Sequence, residues 1–331
     1  MASVSCSDFT STHPVQNEHE VYDLMKSLKK SEVPVVPTKK HVQRPSFVHK
    51  RDKITKLLVK KGVIVETSFL FISPLYYAVR VGDIKLVKMM LIFKGADVNS
   101  SRRKGTSPLH VAAWRGHHKI FKLLIQNRAR VDSAFTRPIK NGFTPLHLAC
   151  LNNKVKCVKV LLKYGASVTP KCENIYHPIH ITVFNNYVEV TKLLLDNSAD
   201  VNLRFNNEFF NKKWKNTSFW KDMDLTLLLC SIARKYTDMT KLLLKCGADI
   251  HLKTKKDKTS LIYAVQASDP ELVESFLAKG ANPNDRDLYG EPVLFYLIFN
   301  ANMHPTSYNK EELDLKDEKI KILQLLIDAG G

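Results

Sequence analysis

The sequence has no uninterrupted apolar run of about twenty residues, the length a membrane-spanning helix requires. Its most apolar stretch, VIVETSFLFISPLYYAV at 63–79, is broken by Glu66 and Pro74 and reads as core. The N-terminal region lacks the apolar centre of a secretory signal, since VSCSDFTSTHPVQNEHE is polar throughout. Cysteine is sparse: Cys6, Cys150, Cys157, Cys172, Cys230 and Cys246 include no C-x-x-C pair and no dense framework, which points to free thiols in a reducing compartment. The expected location is therefore cytoplasmic, with the nucleus as a further compartment, and not secreted. A phosphate loop of the G-x-x-x-x-G-K type, a G-x-S-x-G elbow and a histidine pair at helical metal-binding spacing are all missing. Neither an enzyme nor a protein with a cofactor or metal is expected. Acid is also in short supply. The 51 Lys and Arg face 32 Asp and Glu, and the net charge of +19 points to anionic partners without choosing among acidic protein, nucleic acid and membrane surface.

What the sequence does have is a period. A glycine, or a residue standing in for it, closes a Leu-rich run at 62, 95, 128, 165, 198, 247, 280 and 330, and four of the seven intervals are 33 residues. Inside the period recur SPLYYAV at 73, SPLHVAA at 107, TPLHLAC at 144 and HPIHITV at 177. Each is followed by a second apolar run with a turn corner, such as LLKYGASVT, LLLDNSADVN and LLLKCGADI. Ser or Thr before Pro is a helix start: the hydroxyl caps free N–H groups, and Pro takes the first helical position, where its missing donor is harmless. Leu and Ala then recur at helical spacing, and the corner glycine suits the left-handed residue that ends a helix. Each unit is thus helix, turn, helix and extended turn. Neither helix can bury its apolar stripe alone, so the units must stack.

The joint recurrence of T-P-L-H-x-A and L-L-x-x-G-A-D-V-N resembles the ankyrin repeat, over residues ~50–331. The resemblance implies an all-α solenoid of helix-turn-helix units joined by hairpin-like turns, with seven repeats starting near 70, 104, 141, 174, 223, 256 and 288. Residues 1–40 form a non-repeat N-terminal segment with one expected helix in EHEVYDLMKSLKK, residues 41–69 a degenerate capping unit, and residues 70–331 the repeats, with insertions at 204–222 and 300–317. Because the chain stops just past the last helix without a polar cap, a fragment or short form of a longer protein is expected. His110, His147 and His180 recur at one position in three adjacent repeats. Packed helices lie ~8–10 Å apart whereas zinc holds imidazole nitrogens at ~2 Å, so one ion cannot bridge them. The resemblance implies a structural hydrogen-bonding role instead, with Tyr76, Leu229, Ile262 and Leu294 in that place elsewhere. It also implies asparagine hydroxylation at Asn99 and Asn202, which end ADVN corners.

The positions such an array presents to partners are its turn tips and the solvent face of each first helix. The tips are basic: Arg102, Arg103 and Lys104, then Arg137 and Lys140, Lys171, then Lys212, Lys213 and Lys215, then Lys255, Lys256 and Lys258. On the first helices the residues after the T-P-L-H-x-A core include Arg80, Trp114, Arg115 and Phe184, and arginine and aromatic side chains are the types that carry binding hot spots. The insertion RFNNEFFNKKWKNTSFW at 204–220 packs six rings and four cations into one overgrown tip. Phe205 and Trp220, near its ends, are expected to pack on the neighbouring repeats, while Phe209, Phe210 and Trp214 are the candidates for a partner. A second basic stretch, Lys39 to Lys61, together with 204–221 supplies twelve of the nineteen excess charges.

The expected function is a non-catalytic scaffold or adaptor that binds another protein, one with an acidic surface, through the concave face and the basic tips. A narrower form is a ubiquitin-ligase substrate receptor in a longer version of the chain. The alternative is a nucleic acid or other polyanion, with Lys212, Lys213 and Lys215 on phosphates and Trp214 stacked on a base. The sequence gives no oligomeric state.

Overall fold

The chain divides into two units, residues 1–64 and 65–331. The computed structural model describes residues 73–93, 96–100, 105–134, 142–170, 177–205, 224–299 and 311–331, all in the second unit. The expected N-terminal helix and the capping unit at 41–69 lie outside the described residues.

Among the described residues fourteen helices follow in pairs: α1 Pro74–Val81 and α2 Ile84–Phe93; α3 Pro108–Arg115 and α4 His118–Gln126; α5 Pro145–Leu151 and α6 Val155–Lys163; α7 Pro178–Phe184 and α8 Val188–Leu195; α9 Leu227–Ala233 and α10 Thr237–Lys245; α11 Ser260–Ala267 and α12 Pro270–Ala278; α13 Val293–Phe299 and α14 Glu311–Asp328. No strand occurs among the described residues beyond two isolated bridges, Arg204 with Thr226 and Arg286 with Pro292. Odd-numbered helices pack on one another in sequence to form an inner row, and even-numbered helices pack beside them in an outer row. Helices of seven to ten residues are marginal in isolation. Their stability comes from the shared apolar layer, which includes Leu109, Leu146, Ile179, Leu228 and Leu261 from the inner row and Phe121, Leu161, Leu194, Leu243 and Phe276 from the outer.

The expected helix starts are made as the sequence suggests. Ser73 accepts from the Tyr76 N–H at 3.1 Å, Thr226 from the Leu229 N–H at 3.2 Å and Thr259 from the Ile262 N–H at 3.5 Å. Proline occupies the first turn in α1, α3, α5, α7 and α12. At the corner after the outer helix, Gly165, Gly247 and Gly280 have φ of 78°, 85° and 83°, while Arg128 and Ser198 adopt φ of 66° and 67° at the same place.

Two details differ from the sequence reading. In α13 the histidine position is Phe295, not Leu294: Pro292 bridges Arg286 just as Thr226 bridges Arg204, so this proline precedes the helix instead of opening it. Part of the second insertion is helical as well, since α14 begins at Glu311 and runs for 18 residues, so residues 311–317 extend the outer helix backwards.

Candidate partner-binding surface

The three histidines hold the turns to the inner helices. The Ser107 N–H donates to His110 Nδ1 at 3.2 Å, so the ring carries its proton on Nε2 and donates it to the Phe143 carbonyl of the next repeat at 3.3 Å. His147 Nδ1 accepts the Thr144 N–H at 3.0 Å, and its ring stacks on Phe143 at 4.7 Å. His180 Nδ1 accepts the His177 N–H at 3.1 Å, and its Nε2 donates to the Arg204 carbonyl at 3.0 Å. All three rings are buried. Loss of hydration lowers the pKa of His110 and of His180 to about 4, which keeps both neutral. The neighbouring His177 pushes His180 further in the same direction.

His180 thereby positions the base of the first insertion. Phe205 is 0% exposed, with its ring edge-on to His180 at 4.9 Å. Its N–H donates to the Leu225 carbonyl at 2.7 Å, and the Leu227 N–H donates back to Leu203 at 3.2 Å. Arg204 pairs with Asp224 at 3.2 Å and donates to the Lys253 carbonyl of the following turn at 2.8 Å. A hydrogen-bonded neck therefore joins Leu203, Arg204 and Phe205 to Asp224, Leu225 and Leu227 on the other side of residues 206–223. Phe209, Phe210, Lys212, Lys213, Trp214, Lys215 and Trp220 lie outside the described residues, as do Arg102, Arg103, Lys104, Arg137, Lys140 and Lys171.

Asparagines at the corners clamp successive turns. Asn99 donates to the Arg128 carbonyl at 3.2 Å and accepts the Arg130 N–H at 2.8 Å. Across the insertion, Asn202 accepts the Asp249 N–H at 2.9 Å. Both residues marked for hydroxylation are thus engaged between repeats.

On the inner row Arg115 is exposed, and Arg80, Trp114 and Phe184 are half-buried. The Arg234 guanidinium lies 4.4 Å over the Phe184 ring and donates to the Tyr236 hydroxyl at 2.8 Å. Arg234 was not singled out in the sequence. Its one signal is register, because it follows the seven residues of α9 where Arg115 follows the first seven of α3. Among the basic tips, Lys255 is exposed and Lys256 half-buried, whereas Lys258 turns inward, with its ammonium 4.3 Å over the Tyr296 ring. Burial lowers the Lys258 pKa, and the Asp287 carboxylate opposes that shift. Asp287 is itself buried, accepting from Tyr296 Oη at 2.5 Å and from the N–H groups of Tyr289 and Glu291. Cys150, Cys157 and Cys230 are buried and Cys246 is exposed. No cluster of three His, Cys, Asp or Glu side chains suited to a metal exists among the described residues, and no described helix is long and apolar enough to cross a membrane.

The family model for ankyrin repeats in three copies matches residues 47–135, 75–172, 131–205 and 206–302. The chain belongs to the ankyrin repeat family. It is 34% identical over 149 residues to an ankyrin repeat protein of Rickettsia bellii, a match covering 41% of this chain and 57% of that one. The ankyrin repeat domain of human ASB11 superposes with a TM-score of 0.52 at 27% identity, covering 74% of this chain and 97% of that domain. The ankyrin repeat domain of Bcl-3, an IkappaB family member, gives a TM-score of 0.55 at 19% identity over 74% of this chain and 98% of that domain, a likeness of fold. As an ankyrin array the chain is a protein-interaction module, in a family whose fold is generally non-catalytic.

Proposed function

We propose that this array is a non-catalytic scaffold or adaptor that binds an acidic protein through its concave face and basic turn tips, with the first insertion as the recognition element. Arg80, Trp114, Arg115 and Phe184 line the inner strip, and Arg102, Arg103, Lys104, Arg137 and Lys140 belong to the ridge beside it. Phe209, Phe210, Lys212, Lys213, Trp214 and Lys215 supply the insertion's contacts. The observation that supports this reading is the neck, where Phe205 and Arg204 tie the start of the insertion to the core and to the turn that carries Lys253. Covering Phe184 with Arg234 makes that pair a joint aromatic and cationic surface, of the kind that serves as a hot spot. The likeness to the ASB11 domain favours a narrower form, in which the array is the substrate-holding part of a ubiquitin ligase in a longer chain. Asn99 and Asn202 remain our candidates for hydroxylation, to be read by intact mass of protein from its native cell.

The test is affinity capture from native lysate with the full chain and with Phe209, Phe210 and Trp214 replaced together by Ser. Loss of one nuclease-resistant protein partner in the variant supports the reading. Identical recovery by both chains refutes the insertion's role. Binding abolished by nuclease transfers the site to the nucleic-acid alternative.

A further inference from the structure

The outer row carries a charge pattern that the partner-binding surface does not use. The second and fifth residues of the outer helices are Lys85 and Lys88 in α2, Lys119 and Lys122 in α4, and Lys156 and Lys159 in α6, all exposed. At the same two positions α8 has Glu189 and Lys192, α10 has Asp238 and Lys241, and α12 has Glu271 and Glu274, also exposed. The face therefore passes from six cations over three helices to neutral and then acidic. Residues three apart on a helix stand ~4.5 Å apart along its axis, and neighbouring helices lie ~8–10 Å apart. Because α2, α4, α6 and α8 pack in order, the six lysines form a two-by-three grid.

The later helices act as an internal control. An acid in the first turn complements the helix dipole, and an acid three residues before a lysine is favourable. The arrangement in α8 and α10 gains both, whereas α4 and α6 forgo both and α2 has an acid only at its cap, where Asp83 accepts the Leu86 N–H at 3.1 Å; all three set like charges side by side. Of the six lysines, Lys159 alone has an ion pair among the described residues, with Glu189 at 3.0 Å, and both members of that pair are exposed.

We propose that the outer face of α2, α4 and α6 docks on an anionic lipid surface. The six positions hold no arginine fork and no ring, so they cannot select planar anions or stack on bases, as nucleic-acid readers do. Lysines on flexible stems are point charges suited to mobile headgroups. The six lysines stand exposed on the outer row of helices. This face lies opposite the concave strip, so this docking stands or falls independently of the partner proposed above.

The full chain is tested by sedimentation with vesicles of phosphatidylcholine alone and with phosphatidylserine included, at low and raised salt. Selective binding to the serine-containing vesicles, weakened by salt, is expected. Replacing Lys122 with Gln lowers partitioning about fivefold, and K85E/K88E/K119E/K122E abolishes it, while Lys241→Gln has a smaller effect. Thermal melts confirm that the variants fold; if the fourfold variant does not, the single Gln substitutions decide. Equal binding to both vesicle types overturns the proposal. So does undiminished binding by the lysine variants, which assigns the lipid contact to the Lys39–Lys61 stretch, and so does a preference for duplex DNA over vesicles at the same salt.

Discussion

Mild acid should destabilise this array through two buried histidines, one of them at the base of the first insertion. His110 and His180 are buried and neutral, with pKa values lowered from 6.5 to about 4. A base whose folded pKa lies below its unfolded one contributes stability that is complete above the unfolded value. That stability is lost as pH falls from 6.5 towards 4, because the unfolded chain takes up protons the folded chain refuses. For one such histidine the loss between pH 7.5 and pH 5 is about 2 kcal/mol, so the pair contributes on the order of 4 kcal/mol. The assay is urea unfolding followed by far-UV circular dichroism at both pH values, for the native chain and for H110Q/H180Q. Glutamine can accept and donate but does not titrate. The variant is expected to be less stable at pH 7.5, because the ring contacts with the turns are gone, yet to lose about 4 kcal/mol less on acidification. Parallel pH profiles for the two chains would refute the assignment of this acid sensitivity to the buried rings.

Phe205→Ala should destabilise by about 3–5 kcal/mol in the same unfolding assay, because a fully buried ring is removed from between His180 and the fifth repeat; a change below about 1 kcal/mol would mean the neck is not part of the core. Ser198→Gly should stabilise by about 1 kcal/mol, since Ser198 holds φ of 67° where glycine has no steric penalty. In native protein Cys246 should react with a thiol reagent while Cys150, Cys157 and Cys230 do not: burial raises the Cys157 thiol to about 11 and Cys230 to about 12, pushes Cys150 up as well, and denies all three access. Replacing 206–223 with a four-residue turn should leave the array folded and raise stability by about 1 kcal/mol through the shorter loop closure, read by urea titration; a loss of several kcal/mol would mean the insertion contributes to the core.

Much of the fold was legible because each repeat states its own local rules. Ser or Thr before Pro marks the inner helix and a left-handed corner ends the outer one, and both are decided within a few residues. The histidine role was legible for the same reason, since Nδ1 caps its own turn three residues away. What the pattern could not supply were choices made at a distance. Phe184 reads as an exposed aromatic until Arg234, from the next repeat, lies over it. Lys258 reads as a tip until Tyr296 and Asp287 draw it inward. Pro292 reads as a helix opener because five other prolines are, and only its bridge with Arg286 places it one residue earlier.

The same distinction explains where an eighteen-residue segment can enter the array without interrupting it. Four residues before 206–223 are linked to residues after it: Phe205 to Leu225, Arg204 to Asp224 and Lys253, Leu203 to Leu227, and Asn202 to Asp249. None needs a side chain from 206–223. The fourth and fifth repeats are also joined by direct packing of α7 on α9 and of α8 on α10, so the layer closes beneath the insertion. Residues 206–223 hold four aromatic rings before Trp220 and four lysines. Of the six rings in the insertion, Phe205 is committed to the core, and the proposed function assigns Phe209, Phe210 and Trp214 to the partner.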